Sequence, residues 1–224
     1  MNTEKILFTW SGGKDSALAL YELQESRKYE IEALLTTVTA GYNRISMHGV
    51  RNSLLERQAG SLGLRLEKMR ISRNAGNEEY EGRITRTLDR YRKKGVSGVA
   101  FGDIFLEDLR SYRDRQLSRV GLKGLFPLWK KNTRDMAARF IELGFKAVVS
   151  CVDSKFLDSS FSGRLFDRKF LSDLPDNVDP CGENGEFHSF VYGGPIFKEE
   201  ISYKKGRVVL RDGRFYYCDL IDIG

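Results

Sequence analysis

The sequence predicts an α/β fold: a parallel sheet sandwiched by helices, followed by a smaller α+β domain. Three observations lead there. Strand-like and helix-like segments alternate about five times up to Leu128. The strand segments are continuously apolar, as strands covered on both faces must be. Beyond Leu128 the chain turns polar and aromatic and ends in a hairpin pattern. A chain of 224 residues is long enough for one large domain or two small ones. The change of character puts the boundary between residues 1–128 and 129–224.

The elements follow in order. Ile6-Leu7-Phe8 is a short buried strand. The run ILFTWSGGKDSALAL then breaks at Ser11-Gly12-Gly13-Lys14-Asp15-Ser16 and resumes apolar. Ser16 to Leu23 predicts a helix with Leu20 and Leu23 inward and Asp15 or Ser16 near its N-cap. Ile31 to Val38 is a β-branched strand, followed by the long loop TAGYNRISMHGV. Leu54, Leu55, Ala59 and Leu62 mark a helix from Val50 to Leu62. Leu66 to Ile71 is a strand. Tyr80, Ile84, Leu88 and Tyr91 form one face of a long helix. Val96 to Phe101 is another buried strand, ending at Gly102-Asp103. Leu109, Tyr112, Leu117 and Val120 predict a helix, and Gly124 to Leu128 a short strand holding Pro127. In the second part, TRDMAARFIELGF is a helix ending at Gly144 and KAVVSCVD a strand. A helix is expected from Arg164 to Leu174. RVVLRDGRFYYCDL is a hairpin turned at Asp212-Gly213.

Ligands of such sheets bind beyond the carboxyl ends of the strands. The loops at 11–16, 38–50 and 102–108 are therefore the places to look. The first suits a phosphate. Gly12 and Gly13 allow positive φ and close backbone approach. Their N–H groups and the following helix start converge on an anion, with help from the helix dipole. Lys14 supplies a full charge, and Ser11 and Ser16 supply hydroxyls. Asp15 has a place there if it meets a metal or caps the helix. The spacing is too tight for a Walker A loop. The alternative is an ordinary βα turn with a surface lysine.

The segment DPCGENGEFHSF, Asp179 to Phe190, is the densest polar cluster. Glu186 and His188 are two apart and would share a face in an extended segment. Such groups orient nucleophiles, hold magnesium or move protons. Equally, the segment can be a turn into the strand FHSFVY. Cys151, Cys181 and Cys218 form no C-x-x-C pair, and with only His48 and His188 a zinc site or disulfide framework is not expected. The net charge of +6 is concentrated between Arg83 and Arg119. Solvated helix faces account for most of it, and no aromatic-interleaved RNA motif accompanies it. No apolar run is long enough to span a membrane, and MNTEKILFTW carries an acidic residue. A cytoplasmic protein is expected.

SGGKDS after a strand resembles the PP-loop of the N-type ATP pyrophosphatases. Together with MHGV, GDIFLEDLR, FPLW and CGENGEFHSFVYGGPIF it is similar to the diphthine–ammonia ligase family. The resemblance covers nearly the whole chain. It implies a HUP-type nucleotide-binding domain and a smaller C-terminal domain. It also implies ATP and ammonium as substrates, Mg²⁺, and amidation of diphthine on elongation factor 2. Carried over by position, Ser11, Gly12, Gly13, Lys14, Asp15 and Ser16 bind the phosphates, with His48, Gly102 and Asp103 beside the nucleotide. Asp15 and Asp103 are the metal candidates. Glu183, Glu186 and His188 join Lys14 as catalytic candidates, and Asn184, Gly185 and Arg113 face the acceptor. One departure stands out. Diphthamide-making members resemble Glu-Gly-Gly-Glu-(Phe/Tyr)-Glu-Thr, whereas this chain has Glu183-Asn184-Gly185-Glu186-Phe187-His188-Ser189. Members with this GEFH form resemble a separate branch acting on another acid, with cobalamin-pathway carboxylates the usual suggestion.

The expected chemistry is transfer of AMP to a carboxylate, then attack of ammonia on the mixed anhydride. Two alternatives remain: a PP-loop tRNA thiolase using Cys181, and a nucleotide-binding module without turnover. A homodimer suits a small enzyme of this kind, though no residue marks its surface.

Overall fold

The computed structural model describes residues 3–39, 49–72 and 76–224. Five parallel strands form the first sheet: β1 (Glu4–Thr9), β2 (Tyr29–Thr39), β3 (Leu66–Ile71), β4 (Gly98–Ala100) and β5 (Lys123–Leu125). Their order is β3-β2-β1-β4-β5. The chain therefore winds one way through β1, β2 and β3, then returns past β1 to β4. The crevice between the ends of β1 and β4 is the switch point where such sheets bind ligands.

Side chains alternate along each strand, and in the middle of β1 both sets are buried. Ile6 and Phe8 join a core with helices α1 (Lys14–Ser26) and α2 (Asn52–Leu62). Leu7 between them joins a second core with α3 (Asn77–Arg92) and α4 (Glu107–Ser118). This is why the strand segments read as unbroken apolar runs.

The second sheet is antiparallel, in the order β7-β6-β9-β8. It comprises β6 (Lys146–Asp153), β7 (Phe187–Gly193), β8 (Tyr203–Arg211) and β9 (Phe215–Asp222). Helix α5 (Thr133–Glu142), a 3₁₀ turn at Ser159–Phe161 and the short α6 (Arg168–Ser172) accompany it. Leu18 and Leu20 of α1 share one buried cluster with Phe190 and Val191 of β7, so one core serves both sheets. The hairpin turns where expected, with Asp212 and Gly213 at φ 51° and 63°.

Several boundaries differ from the sequence reading. Helix α1 begins at Lys14 with Gly13 as N-cap and no side-chain cap. The Ser16 hydroxyl instead donates back to the Gly13 carbonyl at 2.8 Å. Pro127 lies beyond β5, which stops at Leu125. The helix expected over 164–174 is confined to Arg168–Ser172. Arg164 to Phe166 run extended along β6 instead, with Val149 N–H on Arg164 O at 2.8 Å and Phe166 N–H on Ala147 O at 2.9 Å. Asp167 then starts the helix by accepting from Phe170 N–H at 2.7 Å.

Candidate active site

The phosphate loop is held from outside. Gly12 sits at φ +78°, and a Cβ there would come 2.5 Å from Oε1 of Gln58. Gln58, wholly buried on α2, uses its whole amide. Its Nε2 donates to Gly12 O at 3.0 Å and to Val191 O at 2.6 Å, and its Oε1 accepts from Trp10 Nε1 at 3.0 Å. Val191 of β7 adds a backbone bond to Gly12 O at 2.9 Å. Serine hydroxyls accept from the loop's N–H groups. Gly13 N–H points to Ser11 Oγ at 3.3 Å and Lys14 N–H to Ser189 Oγ at 3.1 Å.

Lys14 is only 4% exposed. Its ammonium donates to the Asp15 carboxylate at 2.8 and 2.9 Å and to the carbonyl of Cys181, and it lies 5.3 Å from the centre of the Phe187 ring. Burial, the largest influence, pulls its pKa down, but Asp15 together with Cys181 and Glu183 outweighs that and holds it above the ordinary lysine value. The charge that would face a phosphate is thus kept on the lysine and tied to the 179–188 loop.

That loop is held from within. Asp179 accepts from Cys181 N–H at 2.9 Å and Glu183 N–H at 3.2 Å. Glu186, 1% exposed, accepts from Asp179 N–H at 3.1 Å, Asn184 N–H at 3.0 Å and Asn184 Nδ2 at 3.0 Å. Its carboxylate fastens the loop's own backbone. Gly182 and Gly185, at φ +66° and +88°, make the tight turns this requires.

Glu183 reaches outward instead. Its Oε1 accepts from Ile104 N–H at 2.8 Å and Phe105 N–H at 3.3 Å, in the segment after β4. Burial pushes its carboxyl up to about 7, against these N–H groups, which favour the ionised form. Beside it, Asp103 is ion-paired with Arg113 of α4 at 2.6 Å. Gly102 lets the end of β4 pack on α1, since a Cβ would come 3.0 Å from Ser16 N.

These groups surround one cavity of about 530 Å³ at the switch point. Its polar lining includes Ser11, Gly13, Lys14, Asp15 and Ser16, together with Glu183, Gly185 and His188. Gly102, Asp103 and Arg113 also line it. Its apolar lining includes Ile84 and Leu88 of α3 and Leu117 of α4. Of the residues singled out in the sequence, Gly12, Asn184 and Glu186 are absent from the wall. His48 lies outside the described residues. Trp10 and Gln58 escaped the sequence reading and Ser189 entered it only as part of the 183–189 pattern, because each gains its role through a partner far away in the chain.

Two family models account for most of the chain. The N-terminal domain of diphthamide synthase matches residues 4–124 and the C-terminal domain matches residues 132–219. The chain belongs to the diphthamide synthase family. Curated diphthine–ammonia ligases are similar to it. The mouse protein is 25% identical over 77% of this chain and 66% of its own length. The Schizosaccharomyces pombe protein is 25% identical over 92% of this chain and 37% of its own length. The chain thus spans less than two-thirds of these relatives. Among solved structures, the U34-tRNA thiolase NcsA from Methanococcus maripaludis superposes with a TM-score of 0.39 at 17% identity, over 64% of this chain and 58% of that one.

The lining combines a glycine-shaped loop and helix start with apolar side chains, a set of groups that suits a nucleoside triphosphate. For Mg²⁺ the fit is narrower. Among the described residues no three His, Cys, Asp or Glu side chains gather as a metal site. Asp15 and Asp103 each offer one carboxylate on the wall, already beside a cation. That suits an ion carried on phosphates and held by one or two carboxylates.

Proposed function

We propose that this chain is an ATP-dependent amide ligase that adenylates a carboxylate, releases pyrophosphate and transfers ammonia to the activated acid. Residues 1–128 bind ATP and residues 129–224 present the acceptor. The observation that carries the reading is the meeting of the phosphate loop and the 179–188 loop on Lys14, with Glu183 in the same cavity.

In the first step a carboxylate oxygen attacks the α-phosphorus, and the bond to the β-phosphate oxygen breaks. Lys14 and the N–H groups at the start of α1 stabilise the departing pyrophosphate. Asp15, on the cavity wall, would hold a Mg²⁺ ion, which would supply positive charge to the phosphates. In the second step ammonia attacks the acyl carbon, AMP leaves and the nitrogen loses a proton. Glu183 is the better proton acceptor of the two glutamates. Its carboxyl titrates near 7 and lines the cavity, whereas Glu186 is occupied with the loop backbone. His188, also on the wall, orients the acceptor.

Diphthine is the acceptor the relatives' names point to, and the family resemblance puts it on elongation factor 2. A small carboxylic acid is the alternative, favoured by His188 standing on the wall where related sequences resemble a glutamate. Little supports a sulfur carrier. Cys181 is 3% exposed, its thiol donates to Thr133 O at 3.3 Å, and burial raises its pKa. Most basic side chains of α3 and α4 are spent in ion pairs such as Arg83–Glu79, Arg90–Glu67 and Arg113–Asp103. Among the described residues no helix is long and apolar enough to cross a membrane.

The test is ammonium-dependent formation of AMP and pyrophosphate, with diphthine-bearing elongation factor 2 as acceptor and then a panel of small acids. Turnover that needs ammonium and one of these acceptors is expected. ATP binding without AMP formation on any of them would overturn the ligase reading in favour of a nucleotide-binding module.

A further inference from the structure

Strand β7, at the edge of its sheet, runs past the phosphate loop and touches it at three alternate residues, two through side chains and one through an outward backbone N–H. The Phe187 ring lies 5.3 Å from the Lys14 ammonium. Ser189 Oγ accepts from Lys14 N–H at 3.1 Å. The Val191 N–H donates to Gly12 O at 2.9 Å. The middle contact differs from the other two because it is a side-chain hydroxyl on the cavity wall, 3% exposed. A hydroxyl that accepts an N–H still has its own hydrogen to give. Among the described residues no acceptor is assigned to that hydrogen.

We propose that Ser189 is a phosphate-contacting residue, which accepts from Lys14 N–H and passes its own hydrogen to an oxygen of the nucleotide's phosphate chain. The inference rests on the nucleotide site proposed above and extends it across the two parts of the chain. The second sheet then supplies a donor to the phosphates, one residue after His188 on the acceptor side. Accepting from Lys14 N–H polarises the hydroxyl and strengthens its bond to an anion.

A purely structural role predicts the opposite response. If Ser189 only satisfies Lys14 N–H, an arriving phosphate oxygen takes over that N–H. Removing the hydroxyl then leaves ATP affinity unchanged or raises it.

The experiment compares ATP and adenosine binding by titration calorimetry for the wild-type chain and for Ser189→Ala, Ser189→Thr and Ser189→Val. Thr and Val have nearly the same shape and differ in the hydroxyl, so the pair isolates the donor even where the Ala variant folds poorly. Loss of one hydrogen bond to a charged group weakens ATP binding about tenfold or more in the Ala and Val variants. Adenosine affinity stays constant, and Thr restores ATP affinity to within about threefold of wild type. Equal ATP affinity for the Thr and Val variants overturns the inference while leaving the nucleotide site standing. A wild-type chain that fails to bind ATP overturns both.

Discussion

The two loops that meet on Lys14 are built in opposite ways. The phosphate loop, residues 11–16, is fastened by distant elements: Gln58 from α2, and Ser189 and Val191 from β7. The 179–188 loop is fastened largely by its own carboxylates, Asp179 and Glu186, on its own N–H groups. The phosphate loop's Gly12 carbonyl is held from α2 and β7 and its Lys14 N–H from β7, so most of its support comes from outside the loop. A loop that varies its substrate contacts carries its frame inside and can change exposed side chains without losing shape. His188, a side chain on the cavity wall, illustrates the second case.

The largest effect should come from the shared residue. Lys14→Ala removes the cation from both loops, and AMP formation in the ammonium-dependent assay should fall by about a hundredfold or more. A fall under about threefold would break the comparison at its centre. Next comes Glu186→Ala, which leaves buried N–H groups without an acceptor. It should cost about 3 kcal/mol in urea unfolding and abolish turnover more than ATP binding. Gln58→Ala should cost about 2 kcal/mol by leaving Trp10 Nε1 unpaired, and should weaken ATP binding more than acceptor binding. If those two phenotypes were exchanged, the assignment of inner and outer supports would be wrong.

A pH titration sharpens the comparison further. The folded pKa of Glu183 is raised to about 7 from an ordinary 4.5. The native state therefore holds a proton that the unfolded chain has released. This contribution to stability is present below about pH 4.5 and is lost as pH rises toward 7. Glu183→Gln should flatten that part of the stability profile. It should also remove a rise in turnover with an apparent pKa near 7, whereas Glu186→Gln should leave that rise in place. The smallest effect is Asn184→Gly, which deletes one side-chain bond to Glu186 and should cost about 1 kcal/mol with ATP affinity unchanged.

The parallel sheet was legible because buried strands need unbroken apolar runs and helices need a 3.6-residue period. The phosphate loop was legible for a local reason: glycines between a strand and a helix constrain the backbone over six residues. Its supports were not legible. Trp10 meets Gln58 48 positions away, and Lys14 meets Ser189 175 positions away, so no window of sequence contains either pair. Glu186 was legible as a carboxylate in a polar loop, but its direction was not. Whether an acid turns inward to the backbone or outward to a cavity depends on φ at Gly182 and Gly185. The Arg164–Leu174 helix was overestimated because pairing along β6 captured its first residues.

The bond between Val191 N–H and Gly12 O, with the core behind it, bears on how this molecule can be cut. Genetic dissection at residue 128 would strip Phe190 and Val191 from Leu18 and Leu20, and would deprive Gln58 and Gly12 of a shared partner. An expressed N-terminal half would carry the whole nucleotide motif and yet hold it badly, exposing an apolar face that invites precipitation. Insertions and fusions should therefore be tolerated at the tip of the β8–β9 hairpin around Gly213, where a Cβ would meet nothing within 4 Å, and poorly at the seam between the sheets.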